Sequence, residues 1–240
     1  MKILIIYAHP EPKSFNNALK EKAKEVLEGN KHEVQISDLY AMKWKAVADK
    51  ADFTELKDPS FFKMQMEQKE EKMTEDIKAE QKKVEWADMI IFQFPLWWFS
   101  CPAILKGWFD RVFSTPWSYS WPKIYDQGSF SKKKALISVT TGGPQPMYQE
   151  RGLNGNLSKI LYPIMHGALY FCGFQVLQPS YWFSPAHSDE ARKMYLSQWE
   201  ERLKNIEKEE PIKFHKMEEY GQTGLPEDKE NDFEILGKTN

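Results

Sequence analysis

Three short segments of the 240-residue chain carry the residues whose types and spacing could do chemistry. The first is HPEPKSFNNA, residues 9–18, which follows an apolar run and leads into an amphipathic stretch. A polar loop entering a helix presents free backbone N–H groups and the positive end of the helix dipole, a combination that can hold a phosphate. The chain has no glycine-rich dinucleotide fingerprint and no P-loop, so such a site would rest on side-chain hydroxyls and amides, with His9, Ser14 and Asn16 as candidates. The plainer alternative is that Ser14 only caps the helix and His9 is incidental.

The second segment, PLWWFSCPAILKGWF, spans residues 95–109 and is apolar and aromatic. Exposing such a loop is costly unless something flat covers it, and an isoalloxazine ring fits that description. Five of the nine tryptophans fall between Trp97 and Trp121, a concentration that core packing alone would disperse. The third segment, TTGGPQPMY, residues 140–148, offers two hydroxyls and then two glycines that let the backbone approach a ligand and present N–H groups to it. A plain tight turn is the competing reading.

These segments need a scaffold that brings them together, and the rest of the chain supplies one. Short apolar runs alternate with longer amphipathic segments, the pattern of an α/β fold around a parallel sheet buried on both faces. Strands are expected at residues 3–8, 33–37, 89–94, 135–140 and 174–177, the second nearer an edge. Helices are expected at 15–27, 76–86, 103–113, 157–171 and 189–206. Five strands and five helices suit a flavodoxin-like doubly wound sheet, in which ligands bind beyond the carboxyl ends of the strands. The three segments follow the first, third and fourth strands.

Composition sets further bounds. A hydrophobic content of 41% supports one sizeable core, so residues 1–210 are expected to form a single domain, with a polar tail over 211–240 that folds over it or over a partner. The formal net charge of -2 argues against nucleic acid or an anionic membrane as partner. Residues 89–105 are apolar, but Pro95 and Pro102 interrupt them and they fall short of the roughly 20 residues a membrane span needs. Cys101 and Cys172 have no metal-ligand spacing, which fits buried thiols in a reduced, cytoplasmic protein. The Lys/Glu-rich stretch 63–83 reads as a solvated excursion and helix face.

Taken together, the three loops resemble the FAD-dependent NAD(P)H:quinone oxidoreductases, and the branch using dihydronicotinamide riboside is most similar. The matching stretches include HPEPKSFN, SDLYAM, FQFPLWWF, SVTTGGPQPMY, GLNGN and HGALYFCGFQVL. The resemblance implies a homodimer with two interfacial active sites, each binding FAD rather than FMN and admitting in turn NAD(P)H or dihydronicotinamide riboside and then a quinone. It implies that His9, Phe15, Asn16 and Ala18 hold the phosphates and adjoining groups. Pro95, Leu96, Trp97, Trp98 and Phe99 would line the flavin, Thr140, Thr141, Gly142 and Gly143 would bond its edge, and Asp110 and Arg192 would assist. Tyr119, Trp121, Met147 and Phe171 would form the substrate pocket. Tyr148 would be the donor nearest the charge that develops on hydride transfer, with Asn154 beside it.

Three departures qualify the transfer. Asn154 stands where the long-tailed branch has a histidine, and an amide can orient or polarise but cannot relay a proton. Of the metal site that the riboside-using branch builds from two histidines and a cysteine only His166 remains, with Tyr170 at the second histidine position and no cysteine near Lys213, so no metal is expected. Lys63 lies near where the family carries a cofactor-contacting glutamine. Competing readings are a flavin-dependent azo or nitro reductase and a flavin-bound regulatory partner of a membrane transport protein.

Overall fold

The computed structural model describes residues 1–221 and 224–237. Strand β1 (Lys2–Tyr7) is buried from its second residue onward. Helix α1 (Phe15–Gly29) follows, with Ser14 at its cap accepting the Asn17 N–H at 3.2 Å. Its apolar stripe of Leu19, Ala23, Val26 and Leu27 is buried, as the heptad-like spacing requires. Strand β2 (Glu33–Asp38) is largely half-exposed and forms an edge of the sheet.

The excursion after β2 holds a short helix, α2 (Met64–Lys69), and then α3 (Glu75–Trp86), which packs Ile77 and Val84 inward. Strand β3 (Met89–Pro95) is buried throughout, and α4 (Ala103–Val112) and β4 (Lys134–Thr141) follow. Among the described residues all strand pairings are parallel, in the order β2-β1-β3-β4 with β5 (Gln175–Val176) beyond β4. This is the doubly wound arrangement, with apolar residues of β1, β3 and β4 in both core clusters.

The structure refines the sequence reading in two places. The expected strand at 174–177 is only β5 (Gln175–Val176), and a further strand, β6 (Ser180–Phe183), also runs parallel along β4. Pro179 falls between the two and has no N–H to give a ladder, so one edge position is shared by two short strands. The expected continuous helix at 157–171 is three pieces: α5 (Leu157–Ile160), α6 (Tyr162–Ile164) and a π-helical turn (Met165–Tyr170). Pro163, within the first two positions of α6, cannot donate to a preceding carbonyl, so the segment restarts there.

Helix α7 (Asp189–Lys204) packs against α1, with Trp199 and Leu203 fully buried. The segment beyond residue 210 lies back over the same chain: Ile212, Phe214 and Leu236 are buried, and the chain ends its described part in α8 (Asp232–Gly237). Among the described residues no helix is long and apolar enough to cross a membrane.

Candidate active site

The loop after β1 places His9 with its Nδ1 accepting the Glu11 N–H at 3.0 Å. Desolvation, only partly offset by that hydrogen bond and by the Glu11 carboxylate, lowers the His9 pKa, so the ring is neutral near pH 7. Its centroid lies 6.1 Å from that of Trp97, so the first and second loops meet. With Ser14 occupied by the Asn17 N–H, the N–H groups of Phe15 and Asn16 at the start of α1 have no partner within the helix. Lys13, Ser14, Phe15 and Ala18 share an open depression of about 350 Å³ with Asp189, Arg192 and Lys193. Arg192 donates to Pro185 O at 2.6 Å and pairs with Asp189, which fixes a guanidinium beside the helix start.

In the loop after β3, Trp97 and Ser100 exchange two backbone hydrogen bonds of 3.0 Å each, and Trp98 and Phe99 between them have φ of 50° and 57°. Both central residues of this tight turn are therefore left-handed, a conformation that glycine or asparagine normally supplies, at a cost of about 1–3 kcal/mol per bulky residue. The strain serves display: Trp98 is 96% exposed and Phe99 is 49% exposed. By contrast Trp108, from the same aromatic cluster, is fully buried and donates to Glu80 at 2.9 Å. Pro95 ends β3 inside the core, and Leu96 N–H donates to Thr140 O at 2.8 Å, locking the second loop to the third.

The third loop has one closed face and one open one. Thr141 Oγ1 donates to Gly143 O at 2.8 Å and Ser184 Oγ donates to Gly142 O at 3.1 Å, so the loop's carbonyls are tied down and its N–H edge is left for a ligand. A Cβ on Gly142 would meet nothing within 4 Å, whereas one on Gly143 would stand 3.1 Å from the ring of Tyr148 and 3.2 Å from the sulfur of Met147. Tyr148 is buried, its ring 6.0 Å from Phe183. Asn154 N–H donates to Met147 O at 2.8 Å, folding the GLNGN turn back onto the Tyr148 segment.

Beneath these loops runs a buried polar chain. Gln93 Nε2 donates to Asn16 Oδ1 at 2.9 Å, and Asn16 Nδ2 donates to Thr140 Oγ1 at 2.8 Å. The Asn16 side chain thus faces inward to the sheet, joining the first loop to the third.

The expected substrate residues divide between two places. Tyr119 and Phe171, with centroids 5.3 Å apart, line a cleft of about 450 Å³ together with Asp110, Lys106, Cys101 and Gln65. Asp110 is paired with Lys106 at 2.6 Å, and burial pushes the Cys101 thiol up to about 11. Trp121 lies outside this cleft: it is 80% exposed and borders a separate cavity of about 480 Å³ with Tyr125, Tyr162, His166 and His215. Met147 sits with Gly143 and Tyr148 at the end of β4.

Two neighbours of the site, Gln65 and Gln93, had not been singled out in the sequence, and three residues that had been, Lys63, His166 and Tyr170, find partners in the structure. Lys63 precedes α2 with its ammonium 5.0 Å from the Phe61 ring, while Gln65, two residues on, donates to the Tyr119 hydroxyl at 3.3 Å. Gln93 sits amid apolar residues of β3, and that lone polar position was its only signal. His166 Nε2 lies 3.0 Å from Asp232 Oδ2, and Tyr170 donates to His215 O at 2.9 Å. Among the described residues no group of three or more His, Cys, Asp or Glu side chains converges as a metal site.

A parallel doubly wound sheet with a phosphate-suited loop, an aromatic turn and a glycine-opened edge at the carboxyl ends of β1, β3 and β4 defines a flavodoxin-like protein. The chain belongs to the flavodoxin-like fold family, whose model matches residues 1–203. It is 48% identical to NAD(P)H dehydrogenase (quinone) 1 from Cavia porcellus over 219 residues, 89% of this chain and 80% of the relative. It is also 48% identical to ribosyldihydronicotinamide dehydrogenase (quinone) from Rattus norvegicus over 217 residues, 88% of this chain and 94% of the relative. The crystal structure of a quinone reductase candidate from Klebsiella pneumoniae superposes with a TM-score of 0.87 at 43% identity, covering 90% of this chain and 88% of that one.

Proposed function

We propose that the chain is a flavoenzyme that takes two electrons from a reduced nicotinamide and delivers them to a quinone. The observation that carries this reading is the displayed Trp98–Phe99 turn, tied through the Leu96 N–H to Thr140 O bond to a glycine loop that is open at Gly142. Both halves fit a flat ring with a polar edge. When bound, a flavin supplies the capacity to accept a hydride and release it to a second substrate.

The chain's own residues do the rest. Leu96, Trp97, Trp98 and Phe99 would form the apolar surface that excludes water from one side of the ring. Thr140, Thr141 and the N–H groups of Gly142 and Gly143 would hold its edge. Tyr148, buried against Phe183, would offer its phenol as a donor to the reduced ring, and Asn154 would orient that segment without carrying a proton. The names of the relatives, both quinone dehydrogenases, support quinone as the acceptor.

FAD is the cofactor this reading favours over FMN, because the depression at Phe15 and Ala18 adds the cations Lys13, Arg192 and Lys193 to the helix start, room and charge for a second phosphate and the nucleoside beyond it. The division of the site supports a homodimer. Trp98, Trp121 and Leu153 are 96%, 80% and 86% exposed, and Tyr119, Trp121 and Phe171 lie apart from the Tyr148 loop, so a second copy would complete each pocket. The cytoplasm, with its reduced nicotinamides, is the location that goes with this chemistry.

Anaerobic titration of the purified protein with NADPH, NADH and dihydronicotinamide riboside, following bleaching of the flavin band, tests the assignment. Bleaching by NADH or NADPH establishes an NAD(P)H-dependent reductase, and bleaching by the riboside alone selects the other nicotinamide class. A protein that cannot take up flavin would sink the proposal.

A further inference from the structure

We infer that Gln93, which lies in none of the three ligand loops, is a positioning residue that sets the direction of the Gln93–Asn16–Thr140 hydrogen-bond chain and so leaves the Thr140 hydroxyl as a donor to the flavin. The inference rests on the flavin-binding reading above.

Gln93 sits in the middle of β3, between Tyr7 of β1 and Ser138 of β4, and is 1% exposed in a strand whose other residues are all apolar. An amide in that position costs stability unless it is bonded, since a buried polar group without a partner forfeits its hydration with nothing in return. Its Nε2 reaches Asn16 Oδ1 at 2.9 Å. Asn16 is itself buried, and its amide has one accepting and one donating end. With the oxygen taken by Gln93, the nitrogen must face Thr140, which it does at 2.8 Å. A hydroxyl oxygen that receives this bond sends its own proton elsewhere. Thr140 is the next-to-last residue of β4, its carbonyl bonded to Leu96 N–H of the aromatic loop and the glycine pair two residues on, so the free proton would serve a ligand held between those loops. The same chain also couples the first turn of α1, where the phosphates would sit, to the end of β4, where the ring edge would sit.

Exchanging Gln93 reverses or silences this chain without touching the ligand. Gln93→Glu supplies an ionised carboxylate that can only accept, so the Asn16 amide turns, its nitrogen facing residue 93 and its oxygen facing Thr140. Thr140 then donates to Asn16, and the flavin loses a donor. Gln93→Met keeps the volume and removes the director, and Thr140→Val removes the donor itself.

The experiment measures the FAD dissociation constant by quenching of flavin fluorescence, together with the visible spectrum of the bound flavin, for wild type and the three variants. Folding is checked by near-ultraviolet circular dichroism. Gln93→Glu at about pH 9 is expected to bind FAD roughly fivefold to tenfold more weakly than wild type, the loss of one hydrogen bond. Binding should recover toward about pH 6, where a buried carboxyl becomes neutral and regains a donor. Thr140→Val should show the same loss without the pH dependence, and the double variant Gln93→Glu/Thr140→Val should lose no more than Thr140→Val alone. If burial of the carboxylate prevents folding, Gln93→Met decides the matter, with a twofold to threefold loss that vanishes in the Thr140→Val background.

Unchanged FAD affinity in folded Gln93→Glu or Gln93→Met, or losses that add to that of Thr140→Val, would overturn the role assigned to Gln93 while leaving the flavoenzyme reading intact. Failure of wild type to bind any flavin would overturn both.

Discussion

His166 Nε2 stands 3.0 Å from Asp232 Oδ2, and this contact joins the π-helical turn ahead of β5 to the first residue of α8. Asp232 is 1% exposed and also accepts the His215 N–H at 2.9 Å and the Tyr220 hydroxyl at 3.3 Å. A carboxylate that collects one partner from the π-helical turn and two from the C-terminal segment itself acts as the anchor of that segment. Lys159 adds a second tie, pairing with Glu150 at 2.9 Å and with Glu234 at 3.1 Å, so the tail is fastened to the loop that follows Tyr148.

Asp232→Ala should release the tail. Removing a buried acceptor leaves the His215 N–H and the His166 ring without their partner, at a cost of about 3 kcal/mol to local docking. Limited proteolysis should then cut within residues 211–237 much faster than in wild type, and equal cutting rates would contradict the anchor. The docking also depends on pH. Burial lowers the His215 pKa, but the bond to Glu230 O and the Glu219 carboxylate outweigh it and raise the net value. The stability this contributes is complete below the ordinary histidine range and is lost as pH rises through the raised folded value. Glu219, held down to about 2 by Lys229, the Lys216 N–H and His215, contributes above the ordinary carboxylate range and loses that contribution only as pH falls through about 2. Amide hydrogen exchange in the tail, corrected for intrinsic rates, should therefore be slowest in mildly acidic solution and faster at alkaline pH.

Trp98→Gly should stabilise the flavin-free protein while weakening its hold on flavin. The residue has φ of 50° and is 96% exposed, so glycine relieves strain and forfeits little packing. A gain of about 1 kcal/mol, seen as a rise of roughly 2–4 °C in Tm, is expected. A lower Tm would show that the turn is not strained.

Tyr148→Phe keeps the ring that packs on Phe183 and removes only the hydroxyl. Stopped-flow reduction of the flavin should slow on the order of 100-fold, the effect of losing one donor to developing charge. Its FAD affinity should stay close to that of wild type. An unchanged rate would remove Tyr148 from the chemistry.

Asn154→His should add a titration the wild-type chain lacks at that position. The rate of flavin reduction should acquire a step near the ordinary histidine pKa of about 6.5, whereas an amide contributes none. A pH profile identical to that of wild type would show that residue 154 does not communicate with the reacting groups.

Much of the scaffold was legible in the residues. Strands β1, β3 and β4 are near-continuous apolar runs because a sheet covered on both faces leaves no polar side, and α1 shows its stripe and cap plainly. The edge was harder to read, because Pro179 splits one strand position into two elements too short to show a period. Aromatic clustering pointed to the right region but could not separate its members. Trp98 and Trp108 are ten residues apart and equally apolar, yet one is displayed and the other buried on Glu80. Tyr119 and Trp121 likewise diverge into different cavities across two residues.

What the sequence determined by itself was the order of apolar and polar segments, and with it the parallel sheet, the three ligand loops and the residue types they carry. These follow from local periodicity and turn chemistry, which need no partner to be read. Only the tertiary structure decided which side chains meet: Asn16 with Gln93 and Thr140, His166 with Asp232, Gln65 with Tyr119. A hydrogen bond depends on direction and on distances of about 3 Å between residues far apart in the chain, and neither is encoded in spacing along it.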